Sequence, residues 1–246
     1  MDPAQSNRQK TRKSDAGKSP LRDGAVAPLL ERLPEDMQKV LDKRLIEAFE
    51  SRDGKKVRAA LDGGADVNAT NIMGWTALML ACEMKDVEIV RRLLDRGADV
   101  TRKSAHGLTA LRVAASRGNT GAMKLLLANG AGVDEKDEYG GTALMAAAAE
   151  GRVGAMRLLL ERGARVDEKN NHGATTLMKA AFYGQEKAVE LLIASKADIN
   201  GKDKDGETPL TYAEIGEQPG TAELLKGYAK QLSPVANAHC LGENTN

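Results

Sequence analysis

Aromatic rings, sulfur and net charge are all scarce in this sequence, and each shortage closes off a class of protein. Only 3% of the 246 residues are aromatic: one Trp, two Phe and four Tyr. A core with so few rings has to be built from Leu, Val, Ala and Met, a composition that favours helices over packed strands. The two cysteines, Cys82 and Cys240, stand far apart, one in an apolar run and one in a polar tail. They imply neither a disulfide framework nor a metal-binding spacing. No apolar run approaches the ~18 residues needed to cross a bilayer, and no N-terminal stretch reads as a signal peptide. A formal net charge of +1 offers no global field toward nucleic acid or anionic lipid. Phosphate-binding loops, nucleophile elbows and C-x-x-C pairs are missing as well. These absences predict a soluble, cytoplasmic, non-catalytic protein without metal or cofactor.

The chain is rich in repetition. Threonines fall at 76, 109, 142, 175 and 208, a step of 33 with no insertion. They head the phrases "WTALMLACEMKD", "LTALRVAASRGN", "GTALMAAAAEGR", "ATTLMKAAFYGQ" and "ETPLTYAEIGEQ". Aliphatic pairs recur in phase at Leu93-Leu94, Leu126-Leu127, Leu159-Leu160 and Leu192-Ile193, followed by "GADVT", "GAGVD", "GARVD" and "KADIN". A turn signature, Asn, Ser or Asp three residues before a glycine, precedes each threonine (Asn71–Gly74, Ser104–Gly107, Asp137–Gly140, Asn170–Gly173, Asp203–Gly206). Such a side chain caps a turn, and glycine takes φ > 0 without steric cost. Each unit thus reads as a turn, a short helix from the threonine, and a second helix ending near a glycine. One helix pair cannot bury its apolar face alone, but stacked neighbours share a continuous core.

Period and phrases resemble the ankyrin repeat, whose pattern is T-P-L-H-x-A over 33 residues. The resemblance covers about Gln38 to Tyr228 and implies an all-α solenoid of helix-turn-helix units with β-turn fingers. It implies six repeats, approximately 38–70, 71–103, 104–136, 137–169, 170–202 and 203–230, within a domain of residues 38–230. The first and last act as caps, turning Lys43, Arg44, Glu47, Glu50 and Arg52, and Lys226 and Lys230, to water. Residues 1–24 read as a disordered tail holding a basic cluster at Arg8–Lys13, 25–37 as a short helical lead-in, and 231–246 as a flexible tail. Two departures stand out. Met79, Arg112, Met145, Met178 and Thr211 occupy the slot where the family has a histidine that ties neighbouring turns. Lys196 replaces a capping glycine, at a cost on the order of 1 kcal/mol that predicts a softer joint.

Candidate chemistry is thin. His106 and His172 share one slot two repeats apart, on the order of 20 Å if each repeat advances by the ~10 Å of packed helices, so they form no common site. "DEKDE" (134–138) lacks the alternating oxygens of a calcium loop. His239-Cys240 lies in a tail that nothing orients. In the family, ligands are other proteins lying against the concave face made by turn tips and first helices. Carried over slot by slot, that face implies partner contacts at Met73, Trp75, Met84, His106, Leu108, Arg117, Tyr139, Glu150, His172, Phe182 and Tyr183. Four of the seven aromatics fall in these slots, the residue type that protein interfaces enrich. Gly141 and Ala149 fill the same slots with small residues and predict a shallow dip in mid-face. Lys103, Lys136, Lys169 and Lys202 form a periodic row whose acidic neighbours balance it. The expected role is a monomeric, non-catalytic module that binds another protein. The alternative is an architectural spacer engaged through its tails or convex helices, and nucleic-acid binding is the weakest reading.

Overall fold

The computed structural model describes residues 34–232. Expectations for 1–33 and 233–246, including Arg8–Lys13 and His239-Cys240, fall outside the described residues. Twelve helices run along the described chain. In order they are α1 (Glu35–Glu50), α2 (Gly54–Asp62), α3 (Ala77–Met84), α4 (Val87–Asp95), α5 (Ala110–Arg117) and α6 (Thr120–Ala128). Then come α7 (Ala143–Ala149), α8 (Val153–Glu161), α9 (Thr176–Phe182), α10 (Glu186–Ala194), α11 (Pro209–Ile215) and α12 (Pro219–Leu232). α1 is continuous across position 37/38, so the lead-in and the first repeat share one helix there.

Every periodic threonine is a helix N-cap. Its hydroxyl accepts the N–H three residues on, from Met79, Arg112, Met145, Met178 and Thr211 in turn. Each cap satisfies a donor that the first helical turn leaves orphaned, worth about 1 kcal/mol. The even-numbered helices start differently along the stack. Asp53, Asp86 and Asn119 cap α2, α4 and α6 with their side chains. Arg152 and Gln185, at the same position before α8 and α10, make no cap. Their side chains reach back one repeat instead, donating to the carbonyls of Ser116 and Ala149.

Odd helices pack against odd, even against even, and each pair against itself. The odd row closes more tightly, because its contact faces are small: Ala81, Ala114, Ala115, Ala147, Ala148 and Ala181 are all fully buried. In the even row the first member of each aliphatic pair, Leu93, Leu126, Leu159 and Leu192, is fully buried, contributing roughly 1.5–3 kcal/mol each. The second member is only half-buried and covers the core edge. The alanine side of the stack, formed by the odd helices, is therefore packed more closely than the leucine side.

Successive turns are joined by a backbone ladder. Ala105, Glu138, Asn171 and Lys204 donate their N–H to the carbonyls of Met73, His106, Tyr139 and His172. This explains the turn glycine more fully than its φ does. A Cβ on Gly107 would stand 2.8 Å from the Glu138 nitrogen, and one on Gly173 2.8 Å from that of Lys204. Lys196 takes φ 68°, the slot where Gly97, Gly130 and Gly163 are also left-handed. Arg52 and Glu217 (φ 53° and 55°) and Lys85 (φ 63°) share a second such slot with Gly118, Gly151 and Gly184. All four left-handed non-glycine residues among those described therefore sit where neighbouring repeats place glycine.

The lysine row is consumed by the fold. Lys103, Lys136 and Lys169 each donate Nζ to the carbonyl of the next lysine, at 3.0, 2.8 and 2.8 Å. Lys103 also pairs with Glu135 at 2.7 Å and Lys136 with Glu168 at 2.6 Å. The row is a set of ties between repeats.

Candidate partner-binding face

The tip and inner-helix slots do not all face water. Trp75 and Met84 are half-buried and pack against the core. Phe182 is also half-buried: its ring meets Tyr183 edge-on at 5.0 Å and Tyr212 at 6.5 Å, joining the fifth repeat to the sixth. Leu108 is half-buried. Arg117 extends back to Glu83 at 2.8 Å, and Glu150 lies exposed 3.8 Å from Arg152. His106 is exposed, with Nδ1 2.7 Å from Glu138 Oε1. The openly apolar tips are Ile72 and Met73, at 103% and 47% exposure, and Tyr139 and Tyr183, at 62% and 52%. Glu138 pushes the Tyr139 phenol upward, first through a hydrogen bond and then through its charge.

A depression of about 330 Å³ opens in the middle of this face. The fourth repeat leaves the space, with Gly141, Met145, Ala146 and Ala149 along it. The third repeat contributes Arg112, and the fifth His172, Lys179 and Tyr183; Tyr139 stands beside it on the fourth. The dip expected from Gly141 and Ala149 is there, deepened by Ala146. Of the expected contact residues, Tyr139, His172 and Tyr183 border it, and the other eight do not.

Two of the lining residues outside the expected contacts carry a positive charge, Arg112 and Lys179. Arg112 holds the family's histidine slot and restores its tie in a new form: its guanidinium pairs with Asp137 of the next turn at 2.9 Å. The Asp137 carboxylate is almost wholly buried and also accepts the N–H groups of Tyr139 and Gly141. Arg112 Nε, however, is buried without a partner. Lys179 is half-buried, and its ammonium has no ion pair or hydrogen bond among the described residues. The signal for it is positional: the same slot holds Leu80, Val113 and Ala146, all buried. The methionines of the histidine slot, Met79, Met145 and Met178, are buried packing, and Met178 Sδ accepts the Thr175 N–H.

No group of three or more His, Cys, Asp or Glu among the described residues is placed to hold a metal. No described helix is long and apolar enough to cross a membrane.

Comparison with known proteins agrees with this architecture. A family model described as "Ankyrin repeats (3 copies)" matches residues 29–104, 101–170 and 164–233. No curated protein matches the chain. With nearly the whole described array matched and the 33-residue helix pairs in place, the chain belongs to the ankyrin-repeat family, whose repeats are generally protein–protein interaction modules and typically non-catalytic.

Proposed function

We propose that this protein is a non-catalytic interaction module, monomeric and cytoplasmic, which binds a partner protein through the concave face. The observation that carries this reading is the set of apolar side chains held in water on the turn tips and inner helices: Ile72, Met73, Tyr139 and Tyr183. Folding leaves such side chains exposed at a cost that contact with a partner recovers, and Tyr and Met are residues that interfaces enrich. The inner helices beneath them are rigidly tied from repeat to repeat, so little ordering entropy is lost on binding. Trp75 and Phe182 serve the fold as well as the face, so the test uses the exposed residues. Replacing Met73, Tyr139 and Tyr183 together by Ser should abolish capture of partners from a cell lysate while leaving the far-UV circular dichroism unchanged. Undiminished capture would show that partners engage another surface.

A further inference from the structure

The central depression combines two features. Its space comes from small residues of one repeat, and cations from the two flanking repeats open onto it. Both cations break the register. Arg112 stands in the slot of Met79, Met145 and Met178, and Lys179 in the slot of Leu80, Val113 and Ala146. Repeats are near-copies, so a charge in a slot that other repeats fill with uncharged residues has to be maintained against the cost of partly desolvating it.

The charges inside the depression do not balance. Asp137 is the only carboxylate lining it, and it is already satisfied by Arg112 and by the Tyr139 and Gly141 N–H groups. Lys179 remains unpaired, with the exposed His172 imidazole beside the same space. The rest of the lining mixes apolar and polar groups: Met145, Ala146, Ala149 and the rings of Tyr139 and Tyr183, with Asn170, whose Oδ1 already accepts the His172 and Ala174 N–H groups. A volume near 330 Å³ takes one or two side chains.

Building on the concave-face reading, we infer that this depression docks an acidic side chain of the partner: an Asp or Glu that meets Lys179, next to an apolar residue that packs against Ala146, Ala149 and Tyr183. A carboxylate fits better than a phosphate, because only one cation without an ion pair lines the space, Arg112 Nη2 being held by Asp137 at 2.9 Å. Half-burial strengthens the contact, since Lys179 and its partner are screened less than a surface pair.

The test selects a random-sequence displayed peptide library on the immobilised full chain and measures synthetic versions of the enriched peptides by fluorescence anisotropy. Enriched peptides are expected to carry Asp or Glu adjacent to a large apolar residue. Lys179→Glu should weaken them by more than about tenfold, equivalent to one partly sheltered charge pair. Lys179→Met, which matches the apolar slot of the neighbouring repeats, should weaken them less but clearly. Lys204→Glu, an exposed lysine outside the depression, should leave them within about twofold. Changing the peptide's acid to its amide should reproduce the loss on the wild type and add little on Lys179→Met. Neutral peptides that weaken on Tyr183→Ala but ignore Lys179→Glu would overturn the acidic pocket and leave the concave face standing. Peptides indifferent to both substitutions, or no enrichment at all, would overturn both.

Discussion

At the scale of single residues, neighbouring repeats serve as internal controls, because each slot recurs with the same backbone and a different side chain. Thr176 is an example. Its slot holds Ala77, Ala110 and Ala143, each buried, and Thr176 itself is fully buried with a hydroxyl that finds no partner. An unsatisfied buried hydroxyl costs about 1–3 kcal/mol, part of which the added methyl group offsets. Thr176→Val keeps the shape and removes the hydroxyl, so its urea midpoint should rise, corresponding to about 1 kcal/mol. A fall would mean that an unseen acceptor satisfies the group. The same comparison accounts for the left-handed lysines: Lys85 and Lys196 adopt the glycine conformation because the turn geometry belongs to the slot. Lys196 was recognisable from its missing glycine within "KADIN", and Lys85 and Glu217 were legible in the same way, since the aligned phrases set them opposite Gly118, Gly151 and Gly184.

At the scale of elements, the joint between α5 and α7 depends on a pair the rest of the array lacks. Arg112 replaces the packing methionine of its slot and reaches the nearly buried Asp137. Arg112→Met should destabilise the protein by about 1–3 kcal/mol, since Asp137 then keeps only its two backbone donors. Adding Asp137→Asn should recover part of that loss, because an amide oxygen still accepts those N–H groups without a buried charge. Chemical denaturation of the two single variants and the double variant measures the coupling; strict additivity would mean the two side chains do not sense each other. The slot's departure from histidine was plain in the sequence. What replaced its tie was not, because the acceptor lies 25 residues on and is met only when two repeats stack.

At the scale of the whole molecule, stability is close to a sum over repeats and the joints between them, so periodic ties act as a chain of couplings. The lysine ladder is one such chain, and Glu168 links it to pH. Its carboxyl is held below the ordinary glutamate value of 4.5, first by the hydrogen bond from Lys136, against the opposing effect of burial, and then by the charges of Lys136 and Arg165. The folded state therefore binds fewer protons than the unfolded state below pH 4.5. This contribution is fully present above that pH and is lost as the pH falls toward the folded value. Lys136→Met should lower stability at neutral pH, flatten the decline below pH 4.5, and separate the unfolding of the two halves of the stack. Denaturation curves across that range would check all three; an unchanged acid profile would sink the coupling of Glu168 to the ladder.

The sequence by itself determined the repeat, its register and its helix starts, because caps, turns and aliphatic pairs act over a few residues and recur in phase. Thr76, Thr109, Thr142, Thr175 and Thr208 each cap as their spacing implied. It also located the mid-face dip, since Gly141 and Ala149 lack side-chain bulk wherever they are placed. Only the tertiary structure decided which slots open to solvent and which charges remain unpaired. Trp75 turned inward, the lysine row closed on carbonyls, and Lys179 was left facing the space made by Ala146 and Ala149. These outcomes depend on contacts between side chains about 33 positions apart, which the period implies must exist but whose partners only stacking selects.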